Sequence, residues 1–183
     1  SGANPVDVVD VLSKGLEVGG ERYERGEYFL SERIMAGNLA REITDILKPH
    51  LEKSTEKTVE KVVIGTVKGD LHDIGKNIVI AMLSSTGFGV VDLGIDVPPE
   101  KFVDAVKREK PDILGMSCLL TTAMNEMKTV IDKLKEANLR ESVKIMVGGR
   151  PITPQFAEEI GADAYGSNAI EAVKIAKIAK SAA

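Results

Sequence analysis

The sequence predicts an α/β fold: a five-stranded parallel sheet with helices on both faces, preceded by a helical appendage. Three observations carry that prediction. From residue 61 onward, short apolar runs rich in Val and Ile alternate with helical segments, and strands that are apolar on both sides belong to sheets covered on both faces. Ahead of them, apolar residues recur at helical spacing instead. A chain of 183 residues, 43% hydrophobic, can bury one ordinary core and a small accessory layer, and hardly two full domains.

The elements follow in order. Ser1-Gly2-Ala3 reads as a remnant of cloning and is set aside. Asn4 before Pro5 is a helix start with Asp7 in its first turn, and Val8, Leu12, Leu16 and Tyr23 recur up to a stop near Gly26. A second helix opens at Ser31, carries Met35, Leu39, Ile43, Ile46 and Leu51 on one apolar face, and weakens at Pro49. Two helices cannot enclose both of their own apolar stripes, so this hairpin, residues 4–53, requires another surface to lie on. The polar stretch 52–58 reads as a linker. In the domain 59–183, strands are expected at 61–67, 89–93, 112–119, 144–148 and 162–165. Helices are expected near 74–85, 99–109, 121–137, 154–160 and 168–180.

Composition narrows the function classes. With 24 basic and 28 acidic residues, a net charge of -4 and no long run of Lys or Arg, the chain lacks a nucleic-acid footprint. No apolar stretch reaches the length of a membrane span or a secretory leader, and the single cysteine, Cys118, excludes an internal disulfide, so a reducing cytoplasm fits. Trp is absent and aromatics are 4%, so a large flat ligand would have to be held by backbone, glycines and small side chains.

Parallel sheets of this kind bind ligands at the carboxyl ends of their strands, where the winding reverses; in a flavodoxin-like (Rossmann-like) order that point lies between the first and third strands. The loops there are 68–73 and 117–122. The first runs Gly69-Asp70-Leu71-His72-Asp73-Ile74-Gly75-Lys76-Asn77, which puts a histidine at a strand-to-helix turn between carboxylates. Its imidazole could hold a metal through one nitrogen while Asp70 accepts a hydrogen bond from the other. Gly69 and Gly75 would let a bulky ligand approach the backbone. A lone histidine is more often a helix cap or a surface hydrogen bond. However, the only other histidine is His50 and no Cys cluster exists, so a zinc site with three or four protein ligands is not available. A metal that brings its own equatorial ligands needs just one.

Asp70-x-His72-x-x-Gly75, then Ser117-x-Leu119, then Gly148-Gly149 resemble, in order and spacing, the three signatures of cobalamin-binding domains. The longer run from Gly65 to Asn77 is similar to that of cobalamin-dependent methionine synthase and of the methyl-carrier corrinoid proteins of methanogens and acetogens. Gly26-Glu27-Tyr28-Phe29-Leu30 resembles the turn in the helical cap of the same proteins. The resemblance implies cobalamin as cofactor, base-off and His-on: His72 is the lower axial ligand of cobalt, in place of the cofactor's dimethylbenzimidazole, and Asp70 is its partner in catalysis. Gly69, Leu71, Asp73 and Gly75 would border the corrin. The nucleotide tail would enter a cleft lined by Ser117, Leu119, Thr121, Thr122, Gly148 and Gly149, with Asn168 and Ala169 touching it; Asn168 reads equally well as an ordinary N-cap. Phe29, Leu30 and Met35 would form an apolar roof, or equally the hairpin's own core.

By the same resemblance the chain is a cofactor-carrying subunit rather than an enzyme on its own. It would shuttle a methyl group between a substrate:corrinoid methyltransferase and an acceptor methyltransferase of tetrahydrofolate or thiol type, and would be served by a reductive activase. Two departures stand out. The family's cap is a four-helix bundle and only two helices are present, so the rest is either missing or supplied by a second subunit, as in a homodimer through the cap helices. Ala123 stands where methionine synthase has a serine that extends the Asp-His pair, which removes a third relay member. Cys118 reads as a small buried residue without chemistry, and His50 as a complement to a helix dipole. The alternatives are the cobalamin subunit of an adenosylcobalamin-dependent mutase, against which the cap turn argues, and a B12-based sensor, which would need a DNA-binding module.

Overall fold

The computed structural model describes residues 5–51, 60–86 and 88–181. A helical hairpin, α1 (Pro5–Glu24) and α2 (Leu30–Leu51), precedes five strands: β1 (Lys61–Thr66), β2 (Gly89–Asp92), β3 (Ile113–Ser117), β4 (Lys144–Gly148) and β5 (Ala164–Gly166). Between and after them lie α3 (Ile74–Ser85), α4 (Pro99–Glu109), α5 (Met124–Glu136), α6 (Pro154–Ile160) and α7 (Ala169–Ser181). Every expected strand and helix is present, with ends displaced by a few residues. The largest shifts are in the third strand, which stops at Ser117, and in the helix expected from 121, which opens with a 3-10 turn at Thr121–Ala123.

The strands are all parallel in the order β2-β1-β3-β4-β5. The winding therefore reverses between β1 and β3, which pair from Val62↔Ile113 to Thr66↔Ser117, so that their two carboxyl-end loops emerge side by side. The pairing runs on past the strands: Val67 N–H donates to the Ser117 carbonyl at 3.1 Å and Cys118 N–H to Gly148 at 3.1 Å.

Each face of the sheet has its own core. Under α4, α5 and α6, Phe102, Leu114, Met127, Ile131, Leu134 and Ile145 are fully buried. On the opposite face, α3 and α7 cover Val62, Ile113 and Met146, and the hairpin joins them through Leu47. Its turn is closed by Gly26 at φ +72, and Glu32 Oε2 accepts from Phe29 N–H at 2.7 Å, one half of a capping box at the start of α2.

The apolar face expected for α2 is corrected here. Met35, Leu39 and Ile46 are exposed, at 70%, 57% and 67%. The buried positions are instead Ala40 and Leu47, and Leu47 together with Ile43 packs on the core under α3 and α7. Apolar residues occupy two adjoining rows of this helix, so periodicity alone could not choose between them. The expected linker 52–58 and the side chains of Leu30, His50 and Leu51 lie outside the described residues.

Candidate functional site

The site is built where β1 and β3 end. Residues 67–70 form a turn in which Asp70 N–H donates to Val67 at 3.2 Å and Gly69 sits at φ +81, a conformation glycine adopts without strain. The turn delivers Asp70 into the interior, fully buried, while His72 stays at the surface with its side chain 49% exposed.

A buried carboxylate demands partners, and Asp70 has four. Its Oδ1 accepts from His72 N–H at 3.0 Å and pairs with His72 Nδ1 at 2.6 Å. Its Oδ2 accepts from Leu119 N–H at 2.5 Å and from Leu120 N–H at 3.2 Å, both in the loop after β3. Burial by itself raises the Asp70 pKa, but the Leu119 and His72 amides, followed by the imidazole, outweigh it and hold the carboxyl below its ordinary value of 3.8. Asp70 is thus an anion held against His72 Nδ1, which leaves Nε2 as the other ring nitrogen. Among the described residues Nε2 has no partner, and the Thr66 hydroxyl fixes the histidine backbone by donating to the His72 carbonyl at 3.0 Å. The helix-cap reading of His72 is thereby excluded, because its ring is committed to Asp70.

The loops that meet at Asp70 expose apolar side chains. Leu71 is 66% exposed, and Ile95 and Leu120, on the loops after β2 and β3, are also exposed. A Cβ added to Gly75, at the start of α3, would meet nothing within 4 Å. The expected Gly69, Leu71, Asp73 and Gly75 thus lie on one loop and helix start, although Asp73 does not cap α3 with its side chain. Sequence reasoning missed Ile95 and Leu120, and also Thr66; only Thr66 had a signal, its place inside the long run that led to the site.

Ser117 and Leu119 are half-buried, and Thr121 and Thr122 are exposed beside them. The Gly148-Gly149 pair has a reason of its own. A Cβ on Gly149, at φ +131, would fall 1.8 Å from the Cys118 carbonyl oxygen, and one on Gly148 would fall 2.9 Å from that of Gly166. These glycines let the carboxyl ends of β3, β4 and β5 come together. Asn168 caps α7, its Oδ1 accepting from Glu171 N–H at 2.9 Å, and Ala169 is buried in the core beneath. Ala123 is buried too, and it carries no hydroxyl that could extend the Asp70–His72 pair. The Cys118 thiol is pushed up to about 11 by burial and by the nearby Asp70 charge, so it stays protonated at neutral pH. In the cap, Phe29 is exposed like Met35.

Among the described residues there is no group of three or more His, Cys, Asp or Glu that could hold a metal ion, and no helix is long and apolar enough to cross a membrane. What the geometry offers is one outward imidazole nitrogen, held by a buried anion, among loops that expose apolar side chains. Two family models described as B12 binding domains match the chain, one over residues 60–174 and the other over residues 1–48. Trimethylamine corrinoid protein 1 of Methanosarcina acetivorans is 44% identical over 92% of this chain and 81% of its own length. The structure of the Methanosarcina barkeri monomethylamine corrinoid protein superposes with a TM-score of 0.88 at 40% identity, covering 96% of this chain and 84% of that one. The methanol:cobalamin methyltransferase complex MtaBC from the same organism matches at 36% identity with a TM-score of 0.66, over 98% of this chain and 69% of that one.

Proposed function

The chain belongs to the family of B12-binding corrinoid proteins, which makes cobalamin its cofactor, and we propose that it carries a methyl group for a methyltransferase system with His72 Nε2 as the axial ligand of cobalt. When bound, cobalamin supplies the chemistry, taking a methyl group at reduced cobalt and giving it up to an acceptor. The residues present fit it. Nε2 is open, the Gly75 surface is bare, and Leu71, Ile95 and Leu120 offer apolar area to a large flat ring without any aromatic stacking.

The chain's own part is to hold and orient. Asp70 engages Nδ1 and so orients the ring with Nε2 as the ligand atom, as hydrogen-bond partners of metal-bound histidines do. The hydroxyls of Ser117, Thr121 and Thr122 beside the Gly148-Gly149 approach suit a polar nucleotide tail, with Leu119 beside them; Asn168, which caps α7, and Ala169 complete the proposed tail contacts. The helical cap, residues 4–53, contributes exposed apolar side chains, Phe29 and Met35, suited to cover the opposite face of the ring, and the α/β domain, residues 59–183, supplies the ligand. Its partners are a substrate:corrinoid methyltransferase, for which the similarity to a methanol:cobalamin methyltransferase complex is the support, and an acceptor methyltransferase of tetrahydrofolate or thiol type. A reductive activase, self-pairing through the cap helices and a cytoplasmic setting complete the proposal.

The observation that carries it is the Asp70–His72 pair at 2.6 Å with Nε2 turned free. The test is to load the protein with hydroxocobalamin, reduce it, and present it to methanol- and methylamine-dependent methyltransferases with their substrates while following the visible spectrum. Methylation of the bound cofactor by one of them is expected. Stable binding with no methylation by any would favour a sensor over a carrier.

A further inference from the structure

The loop after β2 belongs to no signature, yet it holds the histidine loop from the side opposite β3. Asp96 Oδ1 accepts from Gly69 N–H at 2.7 Å, and Asp96 N–H donates to the Asp70 carbonyl at 3.0 Å. Gly69 N–H belongs to the central peptide of the turn 67–70, with Gly69 at φ +81 in the third position, which makes the turn type II. In type II the central peptide is flipped relative to type I, so whichever group holds that N–H selects between them. Asp96 is itself at φ 50, one of three non-glycine residues with positive φ among those described, and Asp and Asn tolerate that conformation better than other side chains.

We propose that Asp96 is a positioning residue for the axial histidine: by pinning the Lys68–Gly69 peptide it fixes the direction in which Asp70 enters the interior, and through Asp70 the orientation of the His72 ring. The loop is anchored in turn. Thr66 N–H donates to the Gly94 carbonyl at 3.0 Å, and Asp92 accepts from Gly94 N–H at 2.9 Å and from the buried Lys76 of α3 at 2.7 Å and 2.8 Å. Three loops thus converge on Asp70, and Asp96 supplies the contact that a glycine-hinged turn cannot supply for itself.

The inference rests on His72 as cobalt ligand and separates from it in one experiment. Wild type, Asp96→Gly, Asp96→Asn and His72→Ala are reconstituted with hydroxocobalamin, reduced to Co(II), and compared by electron paramagnetic resonance for the splitting that an axial nitrogen imposes, with dimethylbenzimidazole-free cobinamide as a control. Glycine keeps the positive φ and removes only the acceptor; asparagine keeps both. Asp96→Gly should lower the His-on fraction and weaken corrinoid retention about 5- to 10-fold, as loss of one ordinary hydrogen bond does, and Asp96→Asn should restore both. Equal spectra and retention for wild type and Asp96→Gly, with nitrogen splitting lost only in His72→Ala, would overturn the inference and leave the ligand assignment intact. Splitting unchanged in His72→Ala would overturn the assignment on which it rests.

Discussion

The histidine loop and the cap hairpin are built in opposite ways. Asp70 is fully buried and receives four donors, the histidine backbone is held by Thr66, and the turn is pinned by Asp96, all among the chain's own residues. The hairpin leaves Val11, Val18, Phe29, Met35, Leu39 and Ile46 in solvent and packs on the core beneath it through Leu47 and Ile43 of α2 and Val8 and Leu12 of α1. The histidine loop is therefore organised by the chain's own contacts, and on the proposed reading little ordering cost remains for binding there. On the cap side the apolar surface is displayed rather than consumed, and its free energy of burial remains to be gained.

Substitutions that break the preorganised side should have the largest effects. Gly149→Ala drives a Cβ into the Cys118 carbonyl and should cost more than about 4 kcal/mol, read as loss of the folded fraction in a urea titration. A cost within about 1 kcal/mol would show that the strand ends can part. Asp70→Ala strands the amides of Leu119 and Leu120 and should cost about 3 kcal/mol in the same titration, alongside loss of the contact that orients the His72 ring.

Acidity sharpens the point. Because the folded Asp70 carboxyl lies below its ordinary 3.8, its stabilisation is fully present above that value and is lost as pH falls through the lower folded one. The stability gap between wild type and Asp70→Asn should be flat from neutral pH down to about pH 5 and close below about pH 4. A gap that closed near neutrality would assign it to another group.

On the cap side, Leu47→Ala should cost about 2–3 kcal/mol by undocking the hairpin, whereas Leu39→Gln and Ile46→Gln should stay within about 0.5 kcal/mol of wild type. The smallest effect separates fold from function. Gly75→Ala meets open space in the first turn of α3 and should stabilise the cofactor-free protein by about 0.5 kcal/mol, yet weaken corrinoid retention by occupying surface the ring needs. Stabilisation with unchanged retention would place the ring elsewhere.

The same contrast governs what could be read in advance. The strand order and the His72 loop were legible because β-rich runs of this kind have one common winding, and because Gly69, Asp70, His72 and Gly75 sit close together in sequence. The amides of Leu119 and Leu120 were not, since backbone donors have no side-chain signature. Asp96 was hidden in a loop that looks like any turn and acts only through the adjacency of β2 and β1. The buried row of α2 was misassigned because Leu39 and Ala40, adjacent in sequence, lie on adjoining rows, and only packing decides that Ala40 is buried and Leu39 exposed. Gly148 and Gly149 were found for their motif, and the close approach that requires them emerged only from the packed strands.

The central claim is that His72 Nε2 is the metal-binding atom. The most direct test compares the visible spectra of wild type and His72→Ala after loading with hydroxocobalamin and removal of free cofactor. Retained corrinoid with an imidazole-ligated spectrum in wild type, and a clearly altered spectrum in the variant, is the expected result. Identical spectra from both proteins would contradict it.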